Sequence, residues 1–450
     1  MFMKKILFLL SAIMLSGAIV SSLLSCSSSE EIGENEQLEP KQVVNMLSGS
    51  QPIELTPEQK VFANDNNGFT LNFLKAVNKA EQNGQSFIYS PLSITYVLGM
   101  VNDAATGQTE QELEQVLGFH QGGIKAVNEY CKKLIDGLPQ TDEKVTLNIA
   151  NALFVNKNKA KLQTQYQKDM EQYYDATAEN LDFKLPSTLK TINDWANDHT
   201  NGMIPTILDK IDENMATYLL NAIYFKADWA SKFDEANTKE ESFTTTKSTV
   251  KLPLMHQNVL IQYYKNKDYS AIEIPYGKGV WKMTVMLPEE GKTTDDIINR
   301  ISKSGCLEGH IYSANIDDAY RAYEVDLKLP RFETSSDTDK LTLNGGLIAL
   351  LQQMGIRQVF DYNISQVPNM CEKENMYISM MRQKAKIKVN EEGSEAAAVT
   401  IGGANCTAFT PNPQPVEYPK AIFHANRPFV YAISEASSGV IVFVGKFSGE

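Results

Sequence analysis

Five histidines, His120, His199, His256, His310 and His424, are the first candidates for acid–base or metal chemistry, and they are scattered along the chain. None falls in an H-E-x-x-H pair, which would set two imidazoles and a general base on one helix face, and no G-x-S-x-G turn presents a nucleophilic serine. Gly345 and Gly346 lack the lysine and the spacing of a phosphate cradle. Beyond Cys26, the cysteines Cys131, Cys306, Cys371 and Cys406 are widely spaced and form no C-x-x-C pair, so neither zinc nor dithiol redox chemistry is indicated. Free thiols are expected, because a domain of this size needs no disulfide staples. The residues thus point away from an enzyme, a metal and a cofactor.

The most unusual run is Val389 to Thr400, V-N-E-E-G-S-E-A-A-A-V-T. Glu391 and Glu392 precede Gly393, Ser394 and Glu395; Ala396, Ala397, Ala398, Val399 and Thr400 follow. Two readings fit. Ser394 is a good N-cap and alanines are good helix formers, so a helix is the first. The second is an exposed segment of small side chains, able to enter where bulk is forbidden. Alone, the run favours the helix. Its continuation does not: Ile401 to Pro419 carries the pair Gly402–Gly403 and then four prolines, which neither continue a helix nor sit in a central strand. A small-residue segment therefore feeds a long, open, proline-braced loop. Phe423–Ile433 and Gly439–Phe447 are apolar and β-rich, suited to buried strands.

These stretches resemble a known family. E-E-G-S-E-A-A-A-V-T is similar to the hinge of the reactive-centre loop of serpins, and F-H-A-N-R-P-F-V-Y-A-I, from Phe423 to Ile433, resembles the signature that follows that loop. Phe87–Ile94 (F-I-Y-S-P-L-S-I), Asn221–Phe233 (N-A-I-Y-F-K-A-D-W-A-S-K-F), Leu327–Phe332 (L-K-L-P-R-F) and Leu351–Phe360 (L-Q-Q-M-G-I-R-Q-V-F) also resemble serpin segments. The likeness runs from about Pro57 to the C-terminus. It implies an α+β serpin fold with three β-sheets, eight to nine helices and an exposed reactive-centre loop over about 391–420.

The resemblance also implies a function, inhibition of serine-type endopeptidases, and cysteine-type ones by the same route, by suicide trapping. The peptidase's nucleophile acylates itself on the loop, and the freed segment from Ser394 onward enters the main sheet as a new strand. Serpin spacing places the acylating residue sixteen positions after the first hinge acid; from Glu391 that is Thr407, and the bond is Thr407–Ala408. Small residues there suit elastase-like or subtilisin-like peptidases, and Phe409 offers a nearby alternative to a chymotrypsin-like one. By the same resemblance Trp229 matches the tryptophan at the top of the main sheet, where the loop enters. Ser90, Ser93 and Asn221 match a polar cluster under its middle. The sequence departs from the family at Gln383, where many serpins carry a histidine; glutamine still donates and accepts. A non-inhibitory binding protein on the same scaffold, cleaved as a substrate, is the alternative. Gly402 and Gly403 favour it because glycines weaken a strand.

The elements that must position these residues are legible by periodicity. Gly68–Lys79, Pro91–Ala104 and Gln108–Leu117 carry apolar residues at helical spacing, with Thr109 and Glu112 as an expected capping box. Val145–Val155, Ala216–Phe225, Ala271–Tyr276, Trp281–Leu287 and Tyr323–Leu329 read as strands. No linker-like shift follows Pro57, so residues 58–450 are expected to form one domain. Before it, residues 1–25 read as a targeting segment: Lys4 and Lys5, then an apolar Ile6–Val20. Leu23-Leu24-Ser25-Cys26 resembles a bacterial lipoprotein box, which implies lipid on Cys26; an ordinary secretory signal with a chance cysteine is the alternative. Residues 26–57 are Ser/Glu-rich and read as a flexible tether. Ser27-Ser28-Ser29-Glu30-Glu31 resembles the acidic export signals of surface lipoproteins. The location implied is the bacterial cell envelope, on the outer membrane and surface-exposed. The formal charge of −13 argues against nucleic acid as a partner, and the only membrane contact expected is the lipid anchor. A monomer is expected.

Overall fold

The computed structural model describes residues 50–81, 84–307, 321–372, 376–394 and 417–449. Cys26 with the segments around it, Glu395 to Thr400 of the hinge, Cys406, and Thr407, Ala408 and Phe409 of the loop lie outside the described residues.

Among the described residues there are eight α-helices: α1 Pro57–Ala80, α2 Pro91–Ala104, α3 Gly107–Leu117, α4 Gly123–Gly137, α5 Thr164–Tyr174, α6 Ser187–His199, α7 Thr294–Ser304 and α8 Gly346–Met354. Helix α1 begins well before the expected Gly68. Thr56 caps it, accepting from Gln59 N while the Gln59 side chain accepts from Thr56 N, and Pro57 takes the first turn. Apolar periodicity is thin before Phe69, so the start is set by this box rather than by the core face. The packed body reaches further back than the boundary expected at residue 57, since Ile53 and Leu55 are buried and Ile53 N donates to Ser437 Oγ at 2.8 Å. The capping box expected at Thr109 and Glu112 is not one. Helix α3 starts at Gly107, Thr109 accepts from Gln366 N, and Glu112 accepts from the amides of Arg357 and Gln358. Both side chains tie the helix to a distant segment.

The strands are β1 Phe87–Tyr89, β2 Val145–Asn156, β3 Lys161–Leu162, β4 Thr177–Leu181, β5 Thr217–Asp228, β6 Lys239–Thr244, β7 Thr249–Lys265, β8 Tyr269–Tyr276 and β9 Trp281–Pro288. They continue with β10 Arg321–Pro330, β11 Phe332–Asp337, β12 Cys371–Glu372, β13 Met381–Val389, β14 Gly393–Ser394, β15 Lys420–His424, β16 Phe429–Glu435 and β17 Ile441–Phe447. They build a nine-stranded sheet in the order β1-β17-β16-β9-β8-β7-β10-β15 with β6 beside β7, a six-stranded sheet in the order β11-β13-β14-β5-β2-β4, and the pair β12-β3.

The six-stranded sheet is covered on both faces. Ala150, Ala152, Phe154, Tyr218, Leu220 and Ala222 pack with Ile192 and Trp195 of α6, while Leu153, Leu219, Ile223 and Phe225 join the main core. The strand period of two sends alternate residues to the two cores, which is why β2 and β5 read as nearly unbroken apolar runs. Helix α2 is buried on almost every face and packs against β2, β5 and β17, as a helix apolar all round should.

Candidate functional site

The hinge enters the six-stranded sheet at one end. After Val389 the chain makes a tight turn: Asn390 N donates to Gly393 O at 2.9 Å, and Asn390 Oδ1 accepts from the amides of Glu392 and Gly393, both at 3.1 Å. Gly393 and Ser394 then run as β14, antiparallel to β13 through Val389↔Ser394 and to β5 through Gly393↔Asp228 and Ser394↔Ala227. Ser394 lies in a strand with its side chain turned to Tyr276, and the alanines of the helix reading lie outside the described residues. Gly393 is required, because a Cβ there would overlap Ala227 O and come within 2.7 Å of Asp228 Cα.

Side-chain contacts hold the turn. Buried Glu391 takes a forked pair from Arg331, Nη2 to Oε1 at 2.6 Å and Nε to Oε2 at 3.1 Å, and a bond from Thr238 Oγ1 at 2.6 Å. Burial pushes the Glu391 carboxyl up, but Arg331 and Thr238 outweigh it and hold it below the usual carboxylate range. Glu392 pairs with Lys232, which also meets Asp228 at 3.1 Å. Trp229 Nε1 donates to Asn390 O at 2.8 Å, and its ring stacks on Tyr276 at 4.3 Å and 10°. Such a stack adds about 0.5–1.5 kcal/mol beyond the buried area. Ser394 is wholly buried, its Oγ 2.6 Å from Tyr276 Oη. Burial pushes the Tyr276 phenol well up, so it keeps its proton.

Below the hinge, β13 and β5 meet directly and in parallel, but only from Met381↔Leu219 to Lys384↔Ala222. Among the described residues no ladder joins 385–388 of β13 to β5. A seam thus opens between the short parallel pairing and β14. At its closed end lies a buried polar row in register across three strands, Gln383, Asn221 and Asn151. Gln383 Oε1 accepts from Ser90 N at 3.1 Å; its Nε2 donates to Ser90 O at 2.9 Å and to Asn221 Oδ1 at 3.2 Å. Asn221 Nδ2 donates to Asn151 Oδ1 at 2.9 Å. Ser90, the N-cap of α2, donates through Oγ to Val442 O at 2.7 Å. On the opposite face of β13, Arg382 forks onto Asp337 at 2.9 and 2.6 Å.

Residues 64–449 match the family described as Serpin (serine protease inhibitor). A Bombyx mori protein named antitrypsin is 30% identical over 399 residues, covering 87% of this chain and 95% of that protein. This chain belongs to the serpin family. Human Serpin B3 is 30% identical over 405 residues, 85% of this chain and 98% of its own. The crystal structure of Serpin48, a highly specific serpin of the insect Tenebrio molitor, superposes with a TM-score of 0.73 at 26% identity, covering 88% of this chain and all of that one. Human thyroxine-binding globulin complexed with thyroxine gives a TM-score of 0.72 at 25% identity over 86% of this chain and 98% of its own.

The serpin fold expected from the sequence is the fold observed. Trp229, Glu391, Glu392, Gly393 and Ser394 come together at the top of the seam, and Ser90, Asn221 and Gln383 at its closed end. Among the described residues Ser93 Oγ has no hydrogen-bond partner, and Ser93 meets the cluster through its amide, 3.4 Å from Ser90 Oγ. Sequence reading missed Arg331, Thr238, Lys232, Tyr276, Asn390, Asn151 and the Arg382–Asp337 pair. The sequence reading set Glu391 in an exposed loop, so its burial, and with it the need for a cationic partner, was not legible. Cys131, Cys306 and Cys371 are free thiols.

Proposed function

We propose that this serpin inhibits endopeptidases by suicide trapping. The nucleophile of the target attacks the carbonyl carbon of Thr407, the Ala408 nitrogen leaves as an amine carrying the nucleophile's proton, and an ester (a thioester for a cysteine peptidase) links Thr407 to the enzyme. The segment from Ser394 onward then runs down the seam between β13 and β5 and carries the peptidase with it before water can deacylate the ester. One observation supports this above the rest. β14 already lies antiparallel to both walls of the seam, so further residues would extend it along a prepared path. The test is incubation with elastase-like, subtilisin-like and chymotrypsin-like peptidases. A complex that survives boiling in detergent, with a released fragment beginning at Ala408, is expected. A fragment beginning at Thr410 would move acylation to Phe409, and cleavage with no complex would leave only a substrate.

That last outcome is the second reading, a binding protein on the serpin scaffold. The structural likeness to thyroxine-binding globulin favours it, as do Gly402 and Gly403 in the segment that would have to enter.

We further propose that the protein is a lipoprotein of the bacterial envelope, anchored through Cys26, with residues 1–25 removed and the inhibitory domain held on the outer membrane by the polar tether. Cys26→Ala should move it from the membrane fraction to the soluble one; an unchanged distribution would overturn the anchor.

A further inference from the structure

The strand that follows the loop is weakly held by packing. β15 has five residues, pairs in parallel with β10 alone among the described strands, and ends the nine-stranded sheet. Phe423 is its buried anchor, while Ile422 is 70% exposed. Its outer face is held by charge instead. Asp326 of β10 lies between two imidazoles, with His256 Nε2 of β7 at 2.7 Å from Oδ1 and His424 Nε2 of β15 at 3.2 Å from Oδ2. Both histidines flank Lys328 in register and lean to Asp326, two residues along the same face. The charged groups around Asp326 are His256 from β7, His424 and Lys420 from β15, Lys328 and Glu324 from β10 itself, and Glu241 from β6. Lys328 is taken by Glu241 at 2.7 and 2.8 Å, and Lys420 faces Glu324 at 3.5 Å. Asp326 is the one of these acids that faces both imidazoles. Burial pushes its carboxyl up, but His256 and His424 outweigh that and hold it below the usual range, so it stays charged.

We propose that His256, Asp326 and His424 form a proton-sensitive clamp that fastens the strand after the reactive loop to the sheet. With both imidazoles neutral, the carboxylate faces two dipoles. The first proton turns one of them into a cation opposite a carboxylate and tightens the hold on β15. The second proton places two imidazolium groups and Lys328 around Asp326 and Glu241, and the gain is partly cancelled by repulsion.

The clamp matters because the uncut loop is tied at both ends. If Ser394 to Thr407 entered the seam, the thirteen steps would run about 44 Å down the sheet. The thirteen steps from Thr407 to Lys420 span at most about 43–47 Å fully extended, which leaves no slack for the path around the sheet edge. Entry without cleavage would therefore pull on β15, and whatever fastens β15 keeps the loop outside. This consequence, though not the clamp, rests on the trapping reading.

The experiment is amide hydrogen exchange on the full chain at about pH 8 and about pH 6, the range in which imidazoles change charge, corrected for intrinsic exchange. Protection of the 421–424 amides should rise about two- to fivefold at the lower pH, the effect of one partly exposed ion pair, while β16 amides stay constant. His424→Gln and His256→Gln keep a donor but take no proton, and each should flatten the response. An unchanged pH response in both variants, or none in the parent, would overturn the clamp. In parallel, the lifetime of complex-forming activity without peptidase should lengthen at pH 6 in the parent alone. A responsive β15 in a protein that forms no peptidase complex would sustain the clamp and sink the trapping reading.

Discussion

Of the two hinge acids, Glu391 is buried and Glu392 is half-exposed, and the difference decides what each does. The Glu391–Arg331 fork pins the turn to the chain entering β11, so Glu391→Gln should destabilise the protein. Arg331 is 45% exposed, so water screens the pair and the loss should be about 1–2 kcal/mol, below that of a fully buried pair. The sign with pH follows from the depressed carboxyl. Its contribution is complete above the unfolded carboxyl's range and fades as pH falls through the lower folded value. Denaturant midpoints of parent and variant should therefore differ most near neutrality and converge below about pH 4; a gap constant with pH would remove the carboxylate as its cause. Ser394 had its facing written in the sequence. If the segment enters the sheet as a strand, alternation would put Ser394, Ala396, Ala398 and Thr400 on one face, all small and uncharged; Ser394 is wholly buried. Ser394→Arg would set a guanidinium against Tyr276, with no acid bonded to Ser394 among the described residues, at a cost above the 1.4 kcal/mol that shifts a rate tenfold. It should unseat β14 and convert inhibitor to substrate, with cleavage at the same bond and little complex on a denaturing gel. Glu395→Arg, on the other parity, should do much less, and equal losses would mean the facing is wrong. Arg331 was not legible, since it lies sixty positions from Glu391 and only sheet register joins them.

At the scale of elements, the sequence spoke clearly where one periodicity ruled and poorly where a distant partner did. β2, β5, β8, β9 and β10 stand where apolar runs placed them, within one to three residues. The start of α1 and the role of Thr109 were hidden because caps and turn contacts carry no period. The hinge run favoured a helix by its alanines, and Gly393–Ser394 became a strand because two walls offered it hydrogen bonds on both edges. Gln383 shows how far a departure from the family pattern can be absorbed. Its amide makes three bonds where a histidine ring, with two nitrogens, makes at most two. Gln383→Leu leaves Ser90 N, Ser90 O and Asn221 Oδ1 without this partner, and a loss of about 2–4 kcal/mol is expected. The Gln383–Asn221 bond crosses the seam, so a strand inserted to that depth would already have parted it. The penalty in the first unfolding transition should then be smaller in loop-nicked protein than in intact protein. Equal penalties would mean that no strand reaches Gln383.

The whole molecule carries an unfinished sheet. In the described structure β13 and β5 share four residue pairs in parallel, the slightly weaker pairing, and above them their facing edges have no ladder until β14. A strand filling the seam antiparallel to both walls would exchange those four pairs for two full ladders and bury the small-residue face of the hinge. On the trapping reading the native state is one of two compact arrangements and not the more stable one, kept by the barrier to opening the sheet and by the tie at each end of the loop. Cutting the tie should release it. A single nick near Thr407 is expected to raise the melting temperature by well over the few degrees that one interaction moves, whereas a nick in an ordinary folded chain leaves it unchanged or lowers it. Calorimetry of intact and nicked protein at equal concentration decides the matter. A nicked form that melts at or below the intact one would mean that the seam does not accept the loop, and the trapping mechanism would fall with it, leaving a serpin scaffold used for binding.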